Sequence, residues 1–299
     1  MSERGPRQKP VIVSIQSQLV FGCAGNNAAV PLLQGLGATV YAVPTVLLSN
    51  TPHYPTIGGK PLEAPFVAEL LERLLDRLEA GAIDGILTGY FGSADAVHEA
   101  ARFIDRVRER NPAVSVLCDP VIGDLDIGRF VPEDVAGAIV DELVPRADML
   151  TPNLFEAQWL TGLKRSTPHE LMDGLLTGRT SIASLTGIGL ADKTGETVST
   201  LAFDKTGIRR VRTPRLNARP TGTGDLFSAA FLYYRLIGAD LGTTLSLAVD
   251  SVFSLMENLL ENGLHEIDVL PGVPQTAIKN PRFGAETLQD AQLAGLFNT

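Results

Sequence analysis

The sequence predicts a three-layer α/β/α fold, with a mostly parallel central sheet flanked by helices. Short apolar runs that suit buried strands alternate with longer amphipathic stretches along most of the 299 residues. Strands separated by helices of this size form βαβ units, whose strands run parallel. No linker or low-complexity segment interrupts the alternation. We therefore predict a single domain over residues 11–270, a disordered segment over residues 1–10, and a C-terminal tail over residues 271–299 that packs on or near the domain.

The first predicted elements are two strands separated by a helix of small residues, followed by a loop. Val11–Gln16 is a β-branched run that predicts the first strand, and Thr39–Leu48 predicts the second. Between them, the small residues of Asn26–Leu36 predict a helix that stops near Gly37. The segment Ser49–Gly59 is rich in Pro, Gly and Thr, which predicts a loop or flap.

The alternation of helices and strands continues after the flap. Large apolar residues recur every four positions and predict the core face of an amphipathic helix: Phe66, Leu70, Leu74 and Leu78. Further strands are predicted at Ile83–Thr88, Val114–Cys118, Asp148–Leu150, Ile182–Leu185, Val198–Phe203 and Ile208–Val211. Further helices are predicted at Ala94–Arg108, Asp134–Leu143, Leu154–Leu160, Leu226–Leu236 and Leu241–Leu260.

Composition excludes several classes of protein. The formal charge of −9 argues against nucleic acid as the main partner, because backbone binding needs clustered Lys and Arg. No apolar stretch approaches the ~20 residues of a membrane span, and the polar N-terminus does not read as a signal peptide. Two cysteines, Cys23 and Cys118, do not make a disulfide framework. We expect a soluble, cytoplasmic protein without a nucleic-acid or membrane partner.

The sharpest motif is Thr221-Gly222-Thr223-Gly224-Asp225, directly before a helix-forming stretch. Glycines at a helix start let the backbone approach a ligand, and the free N–H groups there face an anion. A carboxylate in the first turn would lie beside a bound phosphoryl group, where it can accept a hydroxyl proton. The alternative is that Asp225 only stabilises the helix dipole, and the residues alone leave both interpretations open.

Two acidic residues follow predicted strands, at the edge where α/β proteins keep their ligands. Asp119 lies at the end of the strand predicted at Val114–Cys118, and Glu156 lies in the first turn of the helix after Thr151. Such a pair can hold Mg²⁺ through water. The alternative for Glu156 is a capping box with Asn153, three residues earlier.

Three residues near the N-terminal strands are candidates for a small-molecule pocket. Ser17 follows the first strand, His53 lies in the predicted flap, and Tyr90 follows the strand at Ile83–Thr88. Each also has a plain structural interpretation. Ser17 can be a turn residue, His53 an exposed loop residue, and Tyr90 a packing residue.

Taken together, these segments resemble the pyridoxal kinase family of the ribokinase-like superfamily, and especially its bacterial pyridoxine/pyridoxal/pyridoxamine kinase branch. The matching stretches occur in family order between about residues 11 and 260: Gln16-Ser17-Gln18-Leu19-Val20-Phe21-Gly22, Val43-Pro44-Thr45-Val46-Leu47-Leu48-Ser49-Asn50-Thr51-Pro52-His53-Tyr54, Thr88-Gly89-Tyr90, Asp119-Pro120-Val121-Ile122-Gly123-Asp124, Thr151-Pro152-Asn153-Leu154-Phe155-Glu156 and Gly222-Thr223-Gly224-Asp225-Leu226-Phe227. Many ribokinase-like enzymes share the Gly-Thr-Gly-Asp element. The flap and the Gln-Ser-Gln start are far more selective.

The resemblance implies an enzyme that uses ATP to phosphorylate the 5′-hydroxymethyl group of a vitamin B6 vitamer. Asp225 would take the hydroxyl proton. In the vitamer pocket, Ser17 would contact the polar edge of the ring, His53 would close over it, and Tyr90 would line it. A homodimer is also implied.

On the nucleotide side, the resemblance implies ATP as donor, Mg²⁺ as cofactor, and a monovalent cation such as K⁺. The N–H groups of Gly222, Thr223 and Gly224 would stabilise the transferring phosphoryl group. The implied metal and nucleotide residues are Asp119 and Glu156 for Mg²⁺ and the ATP phosphates, and Thr151, Ser184 and Thr221 for the nucleotide.

The nucleotide half also departs from the family pattern. Leu185–Gly195 diverges, Lys164–Thr180 is shortened, and Pro220-Thr221 stands where this branch often has Leu-Lys. Two alternatives to the vitamer kinase therefore stay open. One is a ribokinase-like kinase for another small alcohol, such as a hydroxymethylpyrimidine or a sugar. The other is a non-catalytic vitamin B6 binding protein.

Overall fold

A ten-stranded sheet forms the centre of the molecule, which is a computed structural model describing residues 9–79, 81–163, 167–188, 196–272 and 280–289. The sheet strands are β1 Val11–Leu19, β2 Thr39–Leu48, β3 Gly59–Pro61, β4 Gly85–Thr88, β5 Ser115–Cys118, β8 Met149–Leu150, β9 Ile182–Ile188, β10 Thr197–Asp204, β11 Gly207–Pro214 and β12 Glu286–Leu288. A separate hairpin pairs β6 Gly123–Asp124 with β7 Gly128–Arg129.

The sheet is parallel in its middle and antiparallel at its two edges. Its spatial order is β12-β11-β10-β9-β8-β5-β4-β1-β2-β3. The six strands from β9 to β2 pair in parallel, whereas β3 and the three strands β10 to β12 pair antiparallel. The carboxyl ends of the parallel strands therefore meet at one edge, where ligands of such folds bind.

Helices cover both faces of this sheet. Their bounds are α1 Asn26–Leu36, α2 Ala64–Arg77, α3 Ala94–Arg110, α4 Glu133–Ala138, α5 Leu154–Thr161, α6 Pro168–Leu175, α7 Thr223–Leu236, α8 Leu241–Glu261 and α9 Val269–Gly272. A π-helical turn at Ile139–Leu143 and a 3₁₀ turn at Val144–Arg146 continue α4. One core contains residues of α2 to α6, and the other contains residues of α1, α7 and α8. The predicted three-layer α/β/α fold is confirmed.

The apolar strand runs exist because the parallel strands are buried on both faces. Successive side chains of a strand point to opposite faces. In β1, Ile12 packs in the core of α1, α7 and α8, whereas Val13 and Ile15 pack in the core of α2 to α6. In β5, Leu117 and Cys118 divide in the same way.

The core face of α2 differs from the prediction. Val67, Leu71 and Leu75 are the buried residues of this helix, whereas Phe66 is 49% exposed. The predicted residues Leu70, Leu74 and Leu78 pack against the core only partly. The buried row has the same four-residue spacing as the predicted row, so spacing alone could not show which of the two apolar rows faces the core.

Several strands, among them β1 and β9, continue beyond their predicted ends. β1 extends to Leu19 instead of ending at Gln16, and it contains a register shift between Gln16 and Gln18. Asn27 of α1 holds this extension, because its amide group binds both the N–H and the C=O of Leu19. β9 extends to Ile188, so Ser184 lies inside the strand and does not end it.

The C-terminal residues 280–289 pack against the domain. The Arg282 guanidinium pairs with Asp250 of α8 at 2.7 Å, and β12 pairs with β11. Residues 1–8, 273–279 and 290–299 lie outside the described residues, and the predicted domain boundaries stay a prediction. Among the described helices, none combines the length and the apolar character needed to cross a membrane.

Candidate active site

Three of the predicted site residues follow the carboxyl ends of neighbouring strands in the sheet: Tyr90 after β4, Asp119 after β5 and Thr151 after β8. The N–H of Asp119, after β5, donates to Thr88 O at the end of β4 (2.9 Å). The N–H of Thr151, after β8, donates to Cys118 O at the end of β5 (3.3 Å). Parallel pairing thus aligns β4, β5 and β8 and brings the residues that follow them together.

The glycine turn begins α7 in close contact with the turn after β1. Gly222 is the N-cap residue of α7 and has a φ of 86°, a conformation that favours glycine. A Cβ at Gly222 would lie 2.0 Å from Cys23 O, so a side chain would clash with the backbone there. The requirement for glycine at this position is therefore both conformational and steric.

Asp225 lies in the first turn of α7, beside the start of α1. The N–H of Gly25 and its own N–H donate to the carboxylate. Burial nevertheless raises the pKa of Asp225 to about 6, because the surrounding protein disfavours the charged form more than these two donors favour it. The side chain keeps some exposure. Asp225 is thus a carboxylate with a nearly neutral pKa in the first helical turn after the glycines.

Asp119 is a buried carboxylate linked to α7 by a hydroxyl chain. Ser228 donates to Asp119 at 2.8 Å, and the Ser228 and Thr151 hydroxyls are 2.8 Å apart. Burial, together with the charges of Glu156 and Asp225, raises the pKa of Asp119 well above its ordinary value. The next residue but one, Val121, has a φ of 46°, which is strained for a β-branched residue.

Glu156 caps a helix and also accepts hydrogen bonds from the loop after β5. With Asn153 it forms the capping box that was the plain alternative for this residue. It also accepts the N–H groups of Ile122 at 2.8 Å and Gly123 at 3.4 Å. Burial raises the pKa of Glu156 to about 7, although these backbone donors oppose the rise. The capping interpretation is confirmed, and the metal role stays a prediction.

Ser17 lies at the bulge of β1, directly after Gln16, which belongs to a buried polar network with Ser14 and Asn26. Gln16 donates to Ser14, Ser14 donates to Asn26, and Asn26 donates to Gln16 O. A Cβ at Gly25 would lie 2.1 Å from Ser17 Oγ, so Ser17 and Gly25 are in close contact. Because the Gly25 N–H also donates to Asp225, the predicted ring contact and the predicted base both contact the same glycine.

The flap folds back over the turn after β1. Asn50 donates to Thr56 O at 2.7 Å and so closes the flap. His53 Nδ1 lies 2.7 Å from Thr51 Oγ1, and its ring packs on Tyr54 with centroids 4.3 Å apart. Tyr54 donates a hydrogen bond to Glu266, which follows α8. The flap is therefore tied to a segment more than 200 residues away in sequence.

Tyr90 is half-buried near the same pocket. Its backbone O accepts a hydrogen bond from Thr45 at 2.7 Å, and its ring packs against the core of α2 to α6. Gly89, just before it, has no room for a side chain, since a Cβ would lie 2.4 Å from Gln16 Oε1. Tyr90 thus packs against the core, and its role in a small-molecule pocket stays a prediction.

The two predicted nucleotide residues Ser184 and Thr221 differ in whether their hydroxyl groups have a hydrogen-bond partner among the described residues. Ser184 is fully buried and donates to Leu201 O at 2.6 Å, so the sheet already satisfies its hydroxyl. The Thr221 hydroxyl oxygen, in contrast, is buried and has no hydrogen-bond partner within the described part of the chain. An unsatisfied buried hydroxyl costs free energy that a ligand can recover. The contact of Ser184 with a nucleotide stays a prediction without further support.

The sequence interpretation missed several residues of this site. Ser228 could have been found, because it lies three residues after Asp225 and shares its helix face. Asn26 could have been found from the helix start that it shares with Gly25. Glu266 and the strained Val121 carry no local sequence signal, since tertiary packing alone places them here.

Comparison with known proteins agrees with this arrangement. The family model described as phosphomethylpyrimidine kinase matches residues 20–268. The chain is 40% identical over 233 residues to the pyridoxine/pyridoxal/pyridoxamine kinase of Bordetella avium (strain 197N), covering 77% of this chain and 79% of that protein. It is 35% identical over 289 residues to the pyridoxal kinase PdxY of Deinococcus radiodurans, covering 93% and 96%.

The solved structures show the same relationship. The pyridoxal kinase from Leishmania donovani in complex with ADP and pyridoxamine has a TM-score of 0.78 and 26% identity, covering 93% of this chain and 98% of that one. Fold and site thus define a ribokinase-like α/β protein. Within that class, the chain belongs to the pyridoxal kinase family. The resemblance found in the sequence is confirmed.

Proposed function

We propose that this protein transfers the γ-phosphoryl group of ATP to the 5′-hydroxymethyl group of a vitamin B6 vitamer: pyridoxal, pyridoxine or pyridoxamine. The observation that carries the proposal is Asp225, whose pKa of about 6 suits a general base, beside the glycine turn of α7. The names of the family relatives support the substrate class.

Asp225 would accept the proton of the substrate hydroxyl as its oxygen attacks the γ-phosphorus. The N–H groups of Gly222, Thr223 and Gly224 at the start of α7 would stabilise negative charge on the transferring group. Thr221 supports this placement, because its buried hydroxyl lacks a partner among the described residues and can donate to a phosphate oxygen. These residues thereby position both reactants at one helix start.

The vitamer would lie between the bulge of β1 and the flap. Ser17, which lies in close contact with Gly25, would contact the polar edge of the ring. His53 would cover the ring from the flap, and Tyr90 would line its side. Ser17 and Asp225 both contact Gly25. A ring held by Ser17 would therefore have its hydroxymethyl group near the base.

The acidic residues fit a Mg²⁺ ion that keeps part of its water shell. Asp119 and Glu156 offer the hard oxygen ligands that Mg²⁺ prefers, and their raised pKa values reflect buried charges that a cation would stabilise. Glu156 oxygens already accept backbone N–H groups, so it would act through water. Bound Mg²⁺ would neutralise charge on the ATP phosphates.

Three further features belong to the same proposal. We infer dependence on a monovalent cation such as K⁺, a homodimeric state and a cytoplasmic location, all of which the family resemblance implies. Light scattering on the purified protein tests the dimer, and replacement of K⁺ by a large organic cation tests the ion dependence. A monomeric mass would contradict the dimer, and equal rates in both salts would contradict the K⁺ requirement.

A second candidate substrate is a hydroxymethylpyrimidine, because the matching family model is described as phosphomethylpyrimidine kinase. Such a ring presents the same type of primary alcohol to Asp225. A sugar is less well supported, since the pocket residues Ser17, His53 and Tyr90 suit a flat ring. A non-catalytic binding protein would retain the pocket without needing a base at Asp225.

The deciding experiment measures ADP release from ATP and Mg²⁺ with a panel of alcohols. The panel contains the three vitamers, hydroxymethylpyrimidine and ribose, each at several concentrations with K⁺ present. We expect turnover with at least one vitamer at a higher kcat/KM than with the other alcohols. Turnover of ribose or hydroxymethylpyrimidine alone would contradict the proposal, and tight vitamer binding without ADP release would favour the non-catalytic alternative.

A further inference from the structure

One carboxylate joins the flap to the turn that supports the candidate base. Glu266, in the segment after α8, accepts a hydrogen bond from Tyr54 OH through Oε1. The same oxygen lies 3.9 Å from His53 Nε2. Its other oxygen accepts the N–H of Cys23 at 3.1 Å. The Glu266 side chain is only 16% exposed, although the His53 side chain beside it is 47% exposed.

The two oxygens of Glu266 bridge two different segments, the flap and the turn after β1. On one side, Tyr54 and His53 belong to the flap, and the hydrogen bond to Glu266 raises the pKa of Tyr54, which keeps its hydroxyl a donor. On the other side, Cys23 contacts the glycine turn, because a Cβ at Gly222 would lie 2.0 Å from Cys23 O. The carboxylate therefore connects the cover of the pocket to the turn at the phosphoryl site.

The flap and the turn after β1 also contact each other directly. Phe21 N donates to Ser49 O at 2.9 Å, and the rings of Phe21 and Tyr54 meet edge to face with centroids 5.6 Å apart. These contacts align the flap but include no charged group. Hydrogen bonds to a carboxylate are roughly twice as strong as neutral ones, so Glu266 supplies the strongest polar contact of this interface.

We propose that Glu266 is a positioning residue, which holds the flap closed over the vitamer and holds the Cys23 turn in register with Gly222. It touches no reacting atom. Its effect on the vitamer passes through Tyr54 and His53, and its effect on phosphoryl transfer passes through the backbone of residues 23–25. The kinetic part of this inference rests on the proposed vitamer kinase activity.

The first test needs no substrate. Hydrogen exchange is measured on the ligand-free protein for peptides that contain the bonded amides of Tyr54, Gly58 and Cys23. Glu266→Ala should speed exchange in these peptides by about tenfold or more, while the buried strand β4 stays unchanged. Glu261→Ala is the matched control, because it removes the same charge from an exposed position near the end of α8. Unchanged flap exchange in Glu266→Ala, or equal effects in both variants, would overturn the proposal.

The second test separates the two sides of the bridge by kinetics. Tyr54→Phe removes only the flap contact and should raise the vitamer KM by about tenfold with little change in kcat. Glu266→Ala should raise KM and also lower kcat, and Glu266→Gln, which keeps an oxygen acceptor for Cys23, should recover part of kcat. Adding Tyr54→Phe to Glu266→Ala should not raise KM further. Additive effects on KM would contradict action through Tyr54.

The two tests fail independently. If Glu266→Ala does not fold, Tyr54→Phe still tests the flap contact, and unchanged exchange at Tyr54 and Gly58 in that variant would overturn the proposal. If the wild-type protein phosphorylates no vitamer but Glu266→Ala still releases the flap, the proposed function is wrong and the structural role of Glu266 stands. If vitamers are phosphorylated but flap exchange does not change, the role of Glu266 is wrong.

Discussion

The backbone N–H of Gly25 donates a hydrogen bond to the carboxylate of Asp225, so the start of α1 contacts the first turn of α7. Nearly 200 residues separate the two in sequence. Gly25 also lies against Ser17, and Gly222 lies against Cys23 O. The turn of residues 23–25 therefore lies between the proposed vitamer pocket and the proposed phosphoryl site, and substitutions at this contact should affect catalysis strongly.

Gly222→Ala should abolish activity and destabilise the protein. The new Cβ would lie 2.0 Å from Cys23 O, and the φ of 86° is unfavourable for alanine. We expect a loss of stability of about 2 kcal/mol or more, because backbone strain and a steric clash add together. Chemical denaturation measures this loss, and the ADP-release assay measures activity.

Gly178→Ala is the matched control for Gly222→Ala. Its φ of 57° is also left-handed, but no atom lies within 4 Å of the added Cβ. It should cost only about 1 kcal/mol and leave turnover nearly unchanged. Equal losses of stability in the two variants would show that strain alone matters and that the contact with Cys23 does not constrain position 222.

The pH dependence of kcat/KM should show an acidic limb set by Asp225. Burial raises the pKa of this carboxyl to about 6, and a base works only when deprotonated. Activity should therefore rise with pH through about 6 and level off above it. Glu156, with a pKa of about 7, is the other acid to consider, so the profile is repeated in Glu156→Gln. A flat profile through this range, or a limb that disappears in Glu156→Gln, would contradict the assignment.

Mg²⁺ should stabilise the protein even without nucleotide. Asp119 and Glu156 are buried acids whose charged forms are disfavoured, so a bound cation lowers the free energy of the folded state. At saturating Mg²⁺ we expect the Tm to rise by roughly 2–4 °C for each kcal/mol of binding linkage. The rise should disappear in Asp119→Asn and persist in Asp126→Asn, an exposed acid of the β6–β7 hairpin. A rise that survives Asp119→Asn would place the ion elsewhere.

Most of the fold could be predicted from the sequence because the parallel strands are buried on both faces. Such strands give the continuous apolar runs of β1, β4 and β5, and their parallel direction follows from alternation with helices. β12 and the β6–β7 hairpin escaped prediction because they are two or three residues long and form only by pairing with distant or strained segments. The buried face of α2 was misplaced by one position, since apolar residues extend around much of that helix.

The parts of the candidate site that could be predicted are those in which an acidic residue lies at the start of a helix. Asp225 and Glu156 both lie in first helical turns, and their glycine and Asn neighbours are visible in sequence. What could not be predicted is which hydrogen-bond partners each polar side chain has. Glu156 accepts donors from the loop after β5, and Ser184 uses its hydroxyl within the sheet. These partners depend on strand register and tertiary packing, which local patterns do not encode.

The measurement that tests the central claim most directly is the turnover of Asp225→Asn with a vitamer, ATP and Mg²⁺. The matched control is Asp240→Asn, because Asp240 caps α8 by accepting the N–H of Thr243 at 3.0 Å and has no place in the site. If Asp225 is the base, its variant should lose about 10²–10⁴ in kcat with vitamer binding largely kept, and the Asp240 variant should turn over normally. A kcat near that of the wild type in Asp225→Asn would contradict the account and reduce Asp225 to a helix-capping acid.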